Sequence, residues 1–178
     1  MNRLSHVQLM CSYNSWMNKK VYQAAGALPA DELARDRGAF FGSILGTLNH
    51  LLVADTIWLK RFAAHQARFA ALEPVRKLAL PASLAEPLFT ALQPMTAHRV
   101  WLDGVIAAWV EEMQEADFDL VLHYARLNGE ESDKPLFSVL MHFFNHQTHH
   151  RGQATTLLSQ AGADVGVTDL LMLIPNVG

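Results

Sequence analysis

Apolar residues recur along this chain at the three- and four-residue intervals of helices with one buried face. In the first such stretch, about Ser5 to Ala25, the stripe is Val7, Met10, Cys11, Asn14, Met17, Val21 and Ala25, and Gly26 followed by Pro29 stops it. The second begins near Ser43, an N-cap candidate after Gly42, and runs to about Ala64. Leu45, Leu48, Leu52, Trp58, Leu59 and Phe62 make it apolar around much of its circumference, which predicts a central or interface position. From His65 to Leu84 the period breaks, with Pro74 and Pro81 inside a long connection. The third helix is expected over about Pro94 to Gln114, with a short helical lead-in around Leu84 to Leu92; Pro94 suits a first helical turn. The fourth opens near Pro135 and runs to about Gln160, ahead of Gly162.

Between the third and fourth helices the period changes to two. Val121, His123 and Ala125 alternate with Leu122, Tyr124 and Arg126, and Asn128-Gly129 is a hairpin-turn pair, so a small β-hairpin is expected there. "VTDLLMLIP" reads as a short closing turn of helix packed back on the rest. The expected fold is all-α: residues 1–178 as one four-helix-bundle domain, with a long crossover between helices two and three and a small β-hairpin before the last long helix.

Composition adds three constraints. Charged residues are 17% of the 178, against about 25% in an average soluble protein. That deficit predicts extra buried surface, most simply a homo-oligomer interface. A net charge of −3 and the lack of a basic run argue against a nucleic-acid partner. The single cysteine, Cys11, reads as a buried inert thiol and fits a reducing cytoplasm. No run reaches the roughly 20 apolar residues of a membrane span, and the N-terminus lacks a signal-peptide core. A cytoplasmic protein without a membrane partner is expected.

The chemistry concentrates in "HFFNHQTHHRGQ", His142 to Gln153, which holds four of the nine histidines. Residues four apart on a helix lie one above the other, so His142/His146 and His146/His150 are each a pair able to aim nitrogens at one ion. Spacing alone leaves both pairs open. His149 falls one residue off the stripe. A third ligand must come from another element, and His50 is the best candidate. It lies in an apolar segment, with Gly46 and Ala54 four residues to either side, small enough to leave room for an ion beside it. His6, His65, His98 and His123 have flanks that read as surface or hairpin. The fourth helix has no Asp or Glu from Leu136 to Gln160, which excludes the carboxylate-rich di-iron pattern of bundles. "HQTHH" carries Gln147 where a zinc protease carries its Glu base. Imidazoles alone suit zinc, nickel, iron or copper and disfavour calcium and magnesium.

"YNSWMNKKV" from Tyr13, "FFGSILGTLNHLLVADTIWLKR" from Phe40 and "HFFNHQTHHRGQ" from His142, with "TDLLMLIP" as a weaker fourth segment, resemble the DinB/YfiT-like superfamily of metal-dependent bundle proteins. The resemblance implies up-down-down-up connectivity, commonly a homodimer, and a metal triad falling on His50, His146 and His150. It implies zinc or nickel as the usual metal. His142 is then a candidate to support a metal ligand or to face the substrate. Asp103 either orients a ligand imidazole or forms a surface pair with Arg99, and Arg151 either binds an anionic group or makes a structural salt bridge.

Relatives in this superfamily include S-transferases and an isomerase that use low-molecular-weight thiols such as mycothiol or bacillithiol. The functional expectation is therefore a metal-dependent hydrolase or thiol S-transferase acting on a small molecule, in stress or detoxification. The alternative is a non-catalytic metal-binding, damage-inducible protein. A plain interaction bundle with core histidines is the third possibility.

Overall fold

The computed structural model describes residues 2–67 and 69–176. Its helices are α1 (Arg3–Gly26), α2 (Ala30–Ala34), α3 (Ile44–Ala63), α4 (Glu73–Arg76), α5 (Leu92–Glu112) and α6 (Leu136–Gln160). The four long ones match the periodic stretches, and their ends follow local chemistry. Ser43 Oγ accepts from Gly46 N–H at 3.0 Å and caps α3. Past the end of α6, Ala163 N–H donates to the Leu158 carbonyl at 2.9 Å, closing the helix at Gly162.

Side-chain contacts give the directions of the bundle. Asn18 of α1 meets Asp103 of α5, while Arg3 near the start of α1 pairs with Glu115 just beyond α5, so these two helices are antiparallel. His50 of α3 meets His150 of α6 and Phe62 meets Phe143, again antiparallel. Asp55 and Phe62 of α3 face Arg99 and Trp109 of α5 in the same order, so α3 and α5 run parallel. The chain order is therefore up-down-down-up. Leu48, Leu52, Leu59, Phe62, Leu102, Ile106, Trp109, Phe143 and Phe144 fill the middle at 2% exposure or less. Helix α3 is buried along most of its length, as its apolar circumference indicates.

Strands β1 (Val121–Ala125) and β2 (Glu131–Pro135) form the expected hairpin, with Val121 opposite Pro135 and Ala125 opposite Glu131. Gly129 sits at φ +86°, a left-handed conformation that glycine adopts without a Cβ penalty, and its N–H donates to Arg126 carbonyl at 2.9 Å. The closing segment is a 3₁₀ turn, Leu170–Leu173, tied to α1 by Tyr13 hydroxyl donating to the Thr168 carbonyl at 2.7 Å.

The connections between the long helices differ from expectation in two respects. Short helices α2 and α4 interrupt regions that carry no clear period, and the helical lead-in at Leu84–Leu92 is absent. Pro87 disfavours helical geometry at Glu86 and removes a donor. In addition, Asn49 holds Phe89 in non-helical form, its Nδ2 donating to the Phe89 carbonyl at 2.8 Å and its Oδ1 accepting from Phe89 N–H at 2.9 Å. Among the described residues, no helix is long and apolar enough to cross a membrane.

Candidate metal centre

Helices α3 and α6 run antiparallel at close range, and that packing brings His50 to His146 and His150. One nitrogen from each ring lies within 4.8 Å of those of the other two. His50 is buried, and His146 and His150 are half-buried. The ring centroids are separated by 4.3 Å for His50/His150, 4.4 Å for His146/His150 and 5.3 Å for His50/His146.

The two shortest contacts made by the other ring nitrogens fix the tautomers. His50 Nδ1–H donates to the Leu84 carbonyl at 2.9 Å, and His150 Nδ1–H donates to Gln153 Oε1 at 2.8 Å. A carbonyl oxygen cannot donate, so each Nε2 is left with a bare lone pair. Those two Nε2 atoms face one another at 3.2 Å. Without a cation between them, lone pairs at that distance repel. Tetrahedral ligands with zinc-nitrogen bonds of about 2.0–2.1 Å stand about 3.3 Å apart, so the pair has the spacing of one edge of such a site. The residues present fit a divalent transition metal.

Electrostatics agrees with the ligand form. Burial, followed by the neighbouring His150 and His50, lowers His146 from the ordinary 6.5 to about 3. Burial also lowers His50, against the opposing effect of its Leu84 hydrogen bond, and lowers His150. All three rings are therefore neutral near pH 7, as metal ligation requires.

The supporting residues are ones that periodicity does not reveal. Phe41 stacks on His50 with centroids 3.8 Å apart and planes at 16°, and covers one face of the centre. Gly46 serves that arrangement in an unexpected way. A Cβ there would collide with the Phe41 carbonyl oxygen, so the missing side chain admits backbone and leaves no room for an ion. Ala54, on the other side of His50, does border open space. Gln153, inside the histidine motif, orients His150 and also reaches His149 Nε2 at 3.4 Å. The Leu84 carbonyl comes from the crossover that Asn49 pins down.

A cleft of about 410 Å³ opens beside His50 and His146. His142 lies on its wall, its ring 5.2 Å from Trp58 and 5.8 Å from His146. It is exposed, and burial of part of the ring together with Arg61 lowers its pKa. Asp103 and Arg151 are elsewhere. Asp103 accepts from Asn18 at 2.9 Å and from Asn14 at 3.4 Å, and lies 2.8 Å from Arg99 Nη2. The Arg99 pairing expected for it exists, but it is buried, with Arg99 also bonded to Asp55 at 2.5 Å. No imidazole is among its hydrogen-bond partners. Arg151 is 2% exposed and donates to Asn14, Asn18, Gln147 and Thr148, so it meets neither an open site nor a carboxylate partner. Asp55, Arg99, Asp103 and Arg151 form a charge-balanced interior group, joined by amides and joining all four long helices. His65 also departs from expectation: it is buried, with Nε2 3.1 Å from the Val121 carbonyl, which ties α3 to the hairpin. Cys11 is buried, and burial raises its thiol to about 12.

An up-down-down-up bundle with imidazoles converging from its second and fourth long helices points to one class, and the sequence places the chain in it: a model of the DinB family matches residues 1–175, and the chain belongs to that family. It is 25% identical over 173 residues to Protein DinB of Bacillus subtilis (strain 168), across 88% of this chain and 87% of that protein. No solved structure matches it significantly.

Proposed function

We propose that His50, His146 and His150 hold a divalent transition metal, zinc or nickel, and that the chain is a metal-dependent hydrolase or low-molecular-weight-thiol S-transferase. The observation that carries this reading is the pair of bare Nε2 lone pairs on His50 and His150, facing each other at 3.2 Å. When bound, such an ion supplies Lewis acidity that acidifies water or a thiol at neutral pH.

The chain's own residues do the rest. The Leu84 carbonyl and Gln153 hold two of the imidazoles in the ligating tautomer. Phe41 shields the centre from water on one side, and the cleft admits a small molecule from the other. His142 faces that cleft as a neutral imidazole able to hydrogen-bond a substrate. We further propose a cytoplasmic homodimer acting in stress or detoxification, consistent with the low charged fraction of 17%.

A non-catalytic metal protein is the competing reading. The two are separated by loading the protein with cobalt and adding 2-mercaptoethanol. A new sulfur-to-cobalt charge-transfer band supports an open, catalytic position. A spectrum unchanged at saturating thiol supports a closed, structural site.

A further inference from the structure

The cleft beside the three histidines has a composition that selects its occupant. Two cations, Arg61 and Arg126, line it, and none of the residues lining it is Asp or Glu. Arg126 is compensated by Glu130 at 3.1 Å on the exposed hairpin tip. Arg61 is not compensated. Its guanidinium carbon lies 4.4 Å from the Trp58 ring centroid and 4.7 Å from that of Tyr124. Among the described residues no carboxylate pairs with it. Cation–π contact positions the guanidinium without using its N–H groups, and these are the groups that bind a carboxylate in bidentate fashion.

A structural reading exists for Arg61, since a cation in the last turn of α3 complements the helix dipole. Its neighbour Lys60 stands in the same turn but reaches away, donating to the carbonyls of Arg76 at 3.0 Å and Leu78 at 2.6 Å at the end of α4. Arg61 instead turns to the cleft. Apart from the histidines and Asn128, the remaining walls, among them Trp58, Leu84 and Leu127, are apolar.

We propose that the cleft takes a small organic anion with an apolar or aromatic body, its carboxylate anchored on the Arg61 guanidinium and its other end directed to the histidine centre. The inference rests on the reading above in taking this cleft as the substrate site. Arg61 is then a specificity-determining residue, and the hairpin exists in part to close the cleft with Arg126 and Leu127.

The test is calorimetric binding of 3-phenylpropanoate and of its neutral amide, using protein stripped of metal and protein loaded with zinc. In both forms the carboxylate binds wild type about tenfold more tightly than the amide, the effect of one charge-assisted contact. Arg61→Gln brings the two ligands to within about twofold, and Arg61→Lys retains part of the preference. Circular dichroism confirms that each variant is folded, and Arg126→Gln provides a second variant at the exposed tip, expected to retain most of the preference. Equal binding of the two ligands to wild type, no binding of either, or a preference unchanged in Arg61→Gln overturns the proposal. A preference seen only with zinc and independent of Arg61 leaves the metal reading standing and removes this one. An Arg61-dependent preference in a protein that takes up no metal does the reverse.

Discussion

His50 and His150 meet Nε2 to Nε2 at 3.2 Å, and each turns its Nδ1–H to an oxygen on the opposite side of its ring. Each hydrogen bond keeps a proton off the nitrogen that faces the other ring. The two acceptors come from unrelated parts of the chain, a backbone carbonyl in the crossover and an amide one turn along α6. The contact is therefore built from both sides.

Gln153→Ala removes one of those acceptors without touching a ligand. The His150 ring is then free to change tautomer, and zinc affinity is expected to fall by about tenfold, measured by competition with a chromophoric chelator. Undiminished affinity would show that the amide has no part in holding the site.

Acid weakens the metal-free protein through the same rings. His146 has a folded value of about 3 against the ordinary 6.5, so the unfolded chain binds its proton first as the pH falls. Stability associated with this group is complete above about pH 6.5 and declines from there toward pH 3. Part of the ring is solvated, which reduces the effect to about 1 kcal/mol between pH 7.5 and 5. Denaturant unfolding of wild type and His146→Gln at both pH values isolates it from the Asp55 carboxyl, which burial raises and which therefore acts in the opposite direction. Parallel behaviour of the two proteins would contradict the assignment.

Gly46→Ala places a methyl group on the Phe41 carbonyl oxygen. Backbone has to move, at a cost of about 1–3 kcal/mol in chemical denaturation. The Phe41 ring shifts off His50 with it, so zinc affinity falls in the same variant. A stabilised Gly46→Ala, the usual result inside a helix, would show that the loop yields freely.

The interior charges give a prediction independent of metal. Asp55 is 1% exposed and bonded to Arg99, so Asp55→Ala leaves a buried guanidinium with Asp103 as its remaining ion partner. The expected loss is about 3 kcal/mol, read from the unfolding midpoint at constant m. A loss below about 1 kcal/mol would mean that Asp103 alone neutralises Arg99.

The long helices and the histidine pairs of α6 were legible because both follow from local period: a stripe every three or four residues, and imidazoles four apart; which pair meets His50, 100 residues before His150, is set by packing and not by period. Asn14 even fell on the stripe of α1, so its burial could be read, but its partner Arg151 lies 137 residues away and no spacing rule connects them. The same distance in sequence hid the role of Asp103, whose spacing from Arg99 suggests a surface pair until α1 and α3 are packed over it. The crossover was misread for a different reason. Its backbone is held by tertiary hydrogen bonds from Asn49, and these override whatever helix preference Leu84 to Leu92 carries on its own. Gly46 shows the limit most sharply: the sequence gives a small residue beside His50, and only the packed fold shows that the space is taken by backbone.

Metal content measured by elemental mass spectrometry on wild type, His50→Ala, His146→Ala and His150→Ala, all purified identically, bears most directly on the central proposal. The expected result is near-stoichiometric zinc or nickel in wild type and its loss in every variant, with each variant still folded by circular dichroism. Trace metal that is the same in all four proteins would contradict it.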